Sequence, residues 1–256
     1  MHQNERWNEI LRQLKRYGFV TVKYLVETLH YSNATVNRDL NALEAQGLVK
    51  RSYGGVEMTE ATASGTPLPF RYYKMRAEKQ ELGKLASDLV KDGEVIFIDA
   101  STTCESMVKF LTDKKDLMVI TNNISVVEFL AEAGIHVVCL GGQVVEPPSM
   151  LGGVETVENS TRYHYDKAFF STAYFSEDGK IASGLTYYLL HKVALNNANE
   201  IYYLADHTKT TSRKPHFAKE QYLCDFNRIT GVISDYIFPT ATLDKYPQTR
   251  FITSKK

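Results

Sequence analysis

Residues 32–47 have the sequence SNATVNRDLNALEAQG. Ser32 is a residue type that caps helix N-termini, and Gly47 is one that follows helix C-termini. Apolar residues recur between them at helical spacing, namely Val36, Leu40 and Leu43. The pattern predicts one amphipathic helix that is bounded by turns.

The polar face of this helix suits DNA. Asn can pair bidentately with adenine, Arg can pair with guanine or a phosphate, and a single helix fits the major groove. The candidate DNA-binding residues on this helix are Ser32, Asn33, Ala34, Thr35, Asn37, Arg38 and Asn41. An ordinary solvated helix face has a similar composition, so the helix alone leaves both interpretations open.

The flanking segments favour the DNA-binding interpretation. Two apolar stripes upstream predict two short helices, the second with Thr21 as its N-cap. The stripes are Trp7, Ile10, Leu11 and Leu14, followed by Val22, Leu25, Val26 and Leu29. Downstream, residues 48–51 and 56–58 predict two strands around a turn. Together they predict a winged helix-turn-helix, with Lys50 and Arg51 placed to contact the phosphate backbone.

The composition is that of an ordinary globular protein. The 256 residues are 43% hydrophobic and 23% charged with no net charge, which fits one or two domains. The first 75 residues carry a slight basic excess, the sign expected of a part that meets DNA. Neither a secretory signal nor a membrane-spanning run is evident, so we expect a cytoplasmic protein.

The cysteines and histidines indicate no cofactor. The three cysteines are far apart, so we expect free thiols, with Cys139 buried in an apolar strand. The seven histidines show no ligand spacing, so the sequence predicts no metal site.

Residues 59–71 are polar and small with two prolines, which is typical of a linker. We therefore predict a DNA-binding domain over 1–58 and a second domain over 72–256. In the second domain, predicted strands cover residues 94–99, 117–121, 135–140, 165–170, 201–206 and 229–235, and predicted helices cover 72–90, 103–112, 124–133 and 186–199. This alternation predicts βαβ units and a parallel α/β sheet.

Polar residues follow the first three of these strands. Ligands of open parallel sheets bind beyond the carboxyl ends of the strands, and hydroxyls with free N–H groups at a helix start suit an anion. The candidate effector-binding residues there are Asp99, Ala100, Ser101, Thr102, Thr103, Thr121, Asn122, Asn123, Gly141 and Gly142. Ordinary capping uses the same residue types. Further charged candidates for a phosphate and sugar hydroxyls are Asp166, Lys167, Lys192, Asp206 and Lys209, although Lys192 equally fits a surface ion pair.

Both halves resemble the DeoR family of bacterial sugar-metabolism regulators. The first half does so over Ser32–Leu40, Gly47–Val49 and Tyr53–Val56. The matching segments of the second half are Asp99–Thr103, Thr121–Asn122, Gly141–Gly142, Gly152–Gly153, Asp166–Phe169, Leu204–Lys209 and Asp235. The resemblance implies a Rossmann-like sensor domain that is similar in fold to sugar-phosphate isomerases and senses a phosphorylated sugar.

Three features depart from the family's pattern. Asn37 stands where the family usually carries an arginine, which bears on the operator sequence. Ala100 stands where the family's phosphate turn usually has a glycine, and residues 171–176 replace a glycine-containing segment. These two departures bear on the ligand.

The leading hypothesis is a repressor that acts on operator DNA as a homodimer or homotetramer under the control of a phosphorylated sugar. One alternative is a sugar-phosphate isomerase with an appended DNA-binding domain, in which Asp99, Asp166 or Asp206 serves as the general base. Another is a DNA-binding scaffold that responds to no ligand.

Overall fold

The computed structural model describes residues 3–45, 49–52, 54–58, 71, 75–146, 149–210 and 220–254. They belong to two compact units, which divide between Lys74 and Met75. The predicted turn residues Gly47 and Tyr53 lie outside the described residues, as does most of the predicted linker.

The amino-terminal unit begins with three helices. They are α1 (Gln3–Tyr17), α2 (Val22–Leu29) and α3 (Asn33–Ala45). Both predicted caps are confirmed, because Thr21 Oγ1 accepts a hydrogen bond from Tyr24 N at 3.0 Å and Ser32 Oγ accepts one from Thr35 N at 3.2 Å. These bonds satisfy N–H groups that have no partner within the helix.

A three-stranded antiparallel sheet completes this unit. Its strands are β1 (Phe19–Thr21), β2 (Val49–Ser52) and β3 (Gly55–Met58), in the order β1-β3-β2. The β2–β3 hairpin confirms the predicted wing, whereas β1 was not predicted. The apolar stripes of the helices and sheet form one core, which includes Ile10, Leu25, Val36, Leu40 and Val56.

The second unit is built on a seven-stranded sheet, in which every neighbouring pair is parallel. Its strands are β4 (Val95–Ile98), β5 (Met118–Thr121), β6 (His136–Cys139), β9 (Tyr165–Phe170), β12 (Ala198–Ala205), β14 (Gly231–Ser234) and β15 (Arg250–Thr253). The predicted α/β fold class is confirmed. Cys139 is nevertheless exposed, contrary to expectation, because β6 is an edge strand.

Helices cover the sheet. They are α4 (Arg76–Ser87), α5 (Thr102–Glu105), α6 (Val127–Glu132), α7 (Val154–Ser160), α8 (Leu185–Asn197) and α9 (Thr240–Lys245). The predicted helix over 103–112 is instead the short α5 followed by a 3₁₀ turn at Val108–Phe110. Two small antiparallel sheets, neither of them predicted, comprise β7 (Gln143–Glu146) with β8 (Met150–Gly152), and β10 (Tyr174–Phe175) with β11 (Lys180–Gly184) and β13 (Glu220–Asp225).

The strand order creates a crevice at the middle of the main sheet. The order is β15-β14-β12-β9-β4-β5-β6, so the chain runs outward from β4 to β6 and then returns to the other side of β4. In open α/β sheets, ligands bind at such a switch of direction, beyond the carboxyl ends of the strands. Here the switch lies between β4 and β9.

Candidate functional site

Helix α3, which a winged helix-turn-helix pattern predicts to be the recognition helix that enters the major groove, has one buried face and one polar exposed face. Val36, Leu40 and Leu43 are buried in the core of the unit. The side chains of Asn33, Ala34, Arg38 and Asn41 are exposed, while Thr35 and Asn37 are half-buried. Ser32 is exposed as well, so all seven predicted residues of this segment are at least partly accessible.

A buried carboxylate joins α3 to α1. Asp39 accepts hydrogen bonds from Arg6 Nε at 2.7 Å, from Arg6 Nη2 at 2.9 Å and from Trp7 Nε1 at 3.1 Å. Burial alone would raise the pKa of the Asp39 carboxyl, but the hydrogen bonds from Arg6 and Trp7 lower this pKa below its ordinary value. Asp39 therefore stays charged and fixes the recognition helix against α1.

The wing carries the two basic candidates. Lys50 is exposed on β2. Arg51 lies beside α3 and donates hydrogen bonds from its guanidinium to the side-chain oxygens of Asn37 and Asn41. The wing and the recognition helix thus form one polar surface.

In the second unit, Asp99 lies at the switch between β4 and β9. Its Oδ1 accepts hydrogen bonds from Ser101 N at 3.0 Å and Ser101 Oγ at 2.6 Å. Its Oδ2 accepts one from Ser171 N at 2.9 Å, just beyond the end of β9. This carboxylate therefore holds together the loops that follow β4 and β9.

Two residues that were not predicted complete the surroundings of Asp99. His191 Nε2 lies 3.3 Å from Asp99 Oδ2, and His191 Nδ1 lies 2.8 Å from Ser183 Oγ. All three side chains are buried. Burial alone would raise the pKa of Asp99, but the hydrogen bonds with His191, Ser101 and Ser171 lower it.

Two lysine side chains converge on the loop after β4. Lys79 of α4 is only 5% exposed, and its Nζ donates to Thr102 Oγ1 at 3.0 Å. Lys209 Nζ donates to Thr103 Oγ1 at 2.9 Å and to Ser171 Oγ at 2.6 Å. Lys209 and both threonines were predicted, whereas Lys79 was missed.

Asp206 lies close to both ammonium groups. It follows β12 directly and accepts hydrogen bonds from Thr208 N at 3.1 Å and from Thr208 Oγ1 at 2.5 Å. Burial would raise the pKa of Asp206, but the positive charge of Lys209, the Thr208 bonds and the charge of Lys79 lower it. The carboxyl ends of β4, β9 and β12 thus form one charged, hydrogen-bonding cluster.

The polar residues after β5 hold neighbouring loops. Asn122 accepts a hydrogen bond from Ala100 N at 3.0 Å and donates one to Leu151 O at 2.8 Å. Thr121 Oγ1 donates to Ile98 O at 2.7 Å, and Asn123 Nδ2 donates to Glu105 Oε2 at 2.7 Å. These side chains connect the loop after β4 to the rest of the domain.

Gly141 and Gly142 follow β6 and pack against α7. Both have positive φ, of 71° and 106°. Thr156 Oγ1 donates to Gly141 O at 2.6 Å, and a Cβ on Gly142 would lie 2.1 Å from that same hydroxyl. The backbone requires glycine here for packing.

Three charged candidates lie apart from this cluster. Asp166 Oδ2 accepts a hydrogen bond from Val95 N at 2.8 Å, and Lys167 forms an ion pair with Glu94. Both residues lie in the first half of strand β9, so they lie toward the amino end of the sheet, opposite the predicted site. Lys192 Nζ donates to Leu223 O at 3.1 Å and lies over the Tyr188 ring. The placements of Asp166 and Lys167 correct the expectation that these two residues close the site, whereas Lys192, whose ammonium binds the Leu223 carbonyl, stays a prediction.

Two family models cover nearly all of the chain. The DeoR C terminal sensor domain matches residues 74–236, and the DeoR-like helix-turn-helix domain matches residues 6–62. The chain is a member of the DeoR family. Its two matched regions make this DeoR-family protein a DNA-binding transcriptional regulator with a sensor domain, as the resemblance implied.

Curated relatives are similar along nearly their whole length. HTH-type transcriptional repressor GlcR of Bacillus subtilis (strain 168) is 31% identical over 236 residues, which cover 92% of this regulator and 89% of GlcR. The lactose phosphotransferase system repressor of Staphylococcus aureus (strain NCTC 8325 / PS 47) is 29% identical over 243 residues, covering 92% and 93%.

Among solved structures, ribose 5-phosphate isomerase A of Methanocaldococcus jannaschii is similar to the DeoR-family regulator over 55% of this chain and 56% of the isomerase. The identity is 19% and the TM-score is 0.41, too remote a likeness to bear on function. Within the described part of the regulator, none of the helices combines the length and the apolarity that crossing a membrane requires.

Proposed function

We propose that this regulator represses a sugar-metabolism operon and that its effector is a phosphorylated sugar, bound where Lys79 and Lys209 meet the loop after β4. One observation carries the proposal: two ammonium groups from distant parts of the chain converge on the adjacent hydroxyls of Thr102 and Thr103. The regulator would act as a homodimer or homotetramer on operator DNA, and so in the compartment that holds the chromosome.

The chemistry of the cluster supports a ligand with both a phosphate and hydroxyls. Lysine ammonium groups and serine or threonine hydroxyls donate hydrogen bonds to phosphate oxygens. The charged carboxylate of Asp206 is an acceptor suited to sugar hydroxyls. The staphylococcal relative is a lactose phosphotransferase system repressor, which also supports a sugar operon.

We further propose that the cluster binds its ligand without converting it. Isomerisation requires a general base that reaches the substrate. Of the carboxylates considered for that role, Asp99 has both oxygens engaged by the domain's own donors, and Asp166 lies at the opposite end of the sheet. A turnover assay by NMR on aldose and ketose phosphates should show no interconversion.

At the DNA, α3 would enter the major groove with Arg38 and Asn41 exposed toward the bases. The DNA-binding domain would span residues 1–58. It would join the sensor domain, residues 72–256, through a linker over residues 59–71. A ligand controls DNA binding only if it prefers one arrangement of the paired DNA-binding domains. A preference of about 100-fold supplies about 2.7 kcal/mol.

Isothermal titration calorimetry tests the effector site. The unaltered protein is titrated with a panel of sugar phosphates, with the matching free sugars and with inorganic phosphate. We expect one sugar phosphate to bind, and Lys209→Met to weaken that binding by at least about tenfold, equivalent to about 1.4 kcal/mol. Lys192→Met is the matched control, because the Lys192 ammonium binds a backbone carbonyl elsewhere. Equal effects of the two substitutions would overturn the proposed site.

A further inference from the structure

Arg51 of the wing is held on the face of the recognition helix. Its backbone N–H donates to Glu44 Oε1 at 2.9 Å. Its guanidinium donates from Nη2 to Asn37 Oδ1 at 2.5 Å and from Nη1 to Asn41 Oδ1. Residues 37, 41 and 44 share one helix face, since they are spaced by four and three residues. The Arg51 side chain therefore lies along α3.

Both the oxygen and the nitrogen of the Asn37 side-chain amide form hydrogen bonds within this unit. Its Oδ1 accepts from Arg51, and its Nδ2 donates to Asn33 O at 3.0 Å. An asparagine that reads adenine needs both its oxygen and its nitrogen for the base. Both N–H groups of Asn37 Nδ2 are donated to Asn33, one to its backbone O and one to its Oδ1. Asn37 would have to break one of these bonds to donate to adenine, so the adenine contact considered from the sequence is not available in this conformation.

Arg51 retains donors that the two asparagines do not use. A guanidinium has more N–H groups than the two amide oxygens accept, and they are arranged in a planar fork. This fork matches the O6 and N7 acceptors of guanine in the major groove. The bonds to Asn37 and Asn41 also restrict the long side chain in advance, which reduces the entropy lost when it binds.

We propose that Arg51 is a specificity-determining residue that reads a guanine edge, with Asn37 and Asn41 as its positioning residues. The inference rests on the proposed DNA-binding function and changes the role of Arg51 from a phosphate contact to a base contact. Lys50, the next residue on β2, is exposed and carries a point charge suited to phosphate.

The test begins with selection of a preferred sequence from a randomised duplex DNA library by the full chain. Arg51→Lys keeps the charge but removes the fork. We expect it to lower the preference for the selected sequence over its guanine-to-adenine variant by about 10- to 100-fold, with little change on unrelated duplex. Lys50→Ala is the control, and it should weaken binding by a similar factor on every sequence.

Positioning by the asparagines has its own readout. Asn37→Ala and Asn41→Ala should each lower the same preference, and neither should lower it further in the Arg51→Lys background. Uniform weakening by Arg51→Lys, or a preference that survives it, overturns this inference alone. If the unaltered chain selects no sequence from the library, the repressor proposal falls as well.

Discussion

Replacing Asp39 with alanine removes the carboxylate that joins the recognition helix to α1. Asp39 is 1% exposed and accepts three hydrogen bonds, from Arg6 and Trp7. A hydrogen bond to a charged group contributes about 1.5–3 kcal/mol, and breaking a buried ion pair costs about 3–5 kcal/mol. Because the Arg6 guanidinium can turn toward water once released, we expect the lower end, a loss of about 3 kcal/mol in the free energy of unfolding.

The single tryptophan of the chain provides the assay. Trp7 donates directly to Asp39, so its fluorescence reports unfolding of the amino-terminal unit within the full chain. Urea titrations should give a lower midpoint for Asp39→Ala. Glu27→Gln is the control, because it breaks only the exposed 3.7 Å pair with Lys23 and should change stability by less than about 0.5 kcal/mol. Equal midpoints for the two variants would show that the Asp39 carboxylate does not stabilise the amino-terminal unit.

The contribution of Asp39 also depends on pH. Its folded-state pKa is lowered, since the hydrogen bonds from Arg6 and Trp7 outweigh the effect of burial. A lowered pKa gives stability that is fully present above the unfolded-state pKa and is lost as pH falls through the folded-state pKa. The difference in midpoint between the unaltered chain and Asp39→Ala should therefore shrink below about pH 4.

Two further substitutions test the DNA-binding surface of α3 and the packing of the glycines after β6. Arg38→Ala should cost about 1–3 kcal/mol of operator binding, measured by anisotropy, because the exposed side chain of Arg38 faces away from the core of its unit; undiminished binding would remove Arg38 from the interface. Gly142→Ala should lower the thermal midpoint of the sensor domain, followed by circular dichroism, more than Gly141→Ala does. Both positions have positive φ, but only a Cβ at 142 would collide with Thr156, and equal midpoints would contradict this.

The DNA-binding unit was largely predictable because its signals are local. The helices are indicated by caps at Thr21 and Ser32 and by apolar residues at helical spacing. All of these signals lie within or next to the helix that they predict. Strand β1 was missed because three residues are too few to show a period, and Phe19–Thr21 becomes a strand only by pairing with β3. The role of Asp39 could not be predicted from the sequence either, because its hydrogen-bond donors lie on a different helix.

The candidate effector site was predictable only in part. Strand ends are visible in the sequence, so Asp99, Thr103 and Lys209, which the structure brings together there, were among the predicted residues. Lys79 and His191 lie on helices, and their burial beside the strand ends depends on how those helices pack against the sheet. No local sequence pattern indicates that a helix residue will pack beside the end of a strand.

The placement of Asp166 and Lys167 could have been predicted from the sequence. Residues 165–170 were predicted as a strand, and Asp166 and Lys167 stand at its beginning. In a parallel sheet, strand beginnings lie at the edge opposite the carboxyl ends. Applying strand direction would have removed both residues from the predicted site.

In the proposed function, a phosphorylated sugar controls DNA binding by this regulator. The most direct test is fluorescence anisotropy on duplex DNA from its own promoter region, at fixed and stated salt, with and without each sugar phosphate and free sugar of the panel. We expect tight binding that one sugar phosphate changes and that its free sugar does not. Binding that no sugar phosphate alters would contradict the proposed control by a phosphorylated sugar.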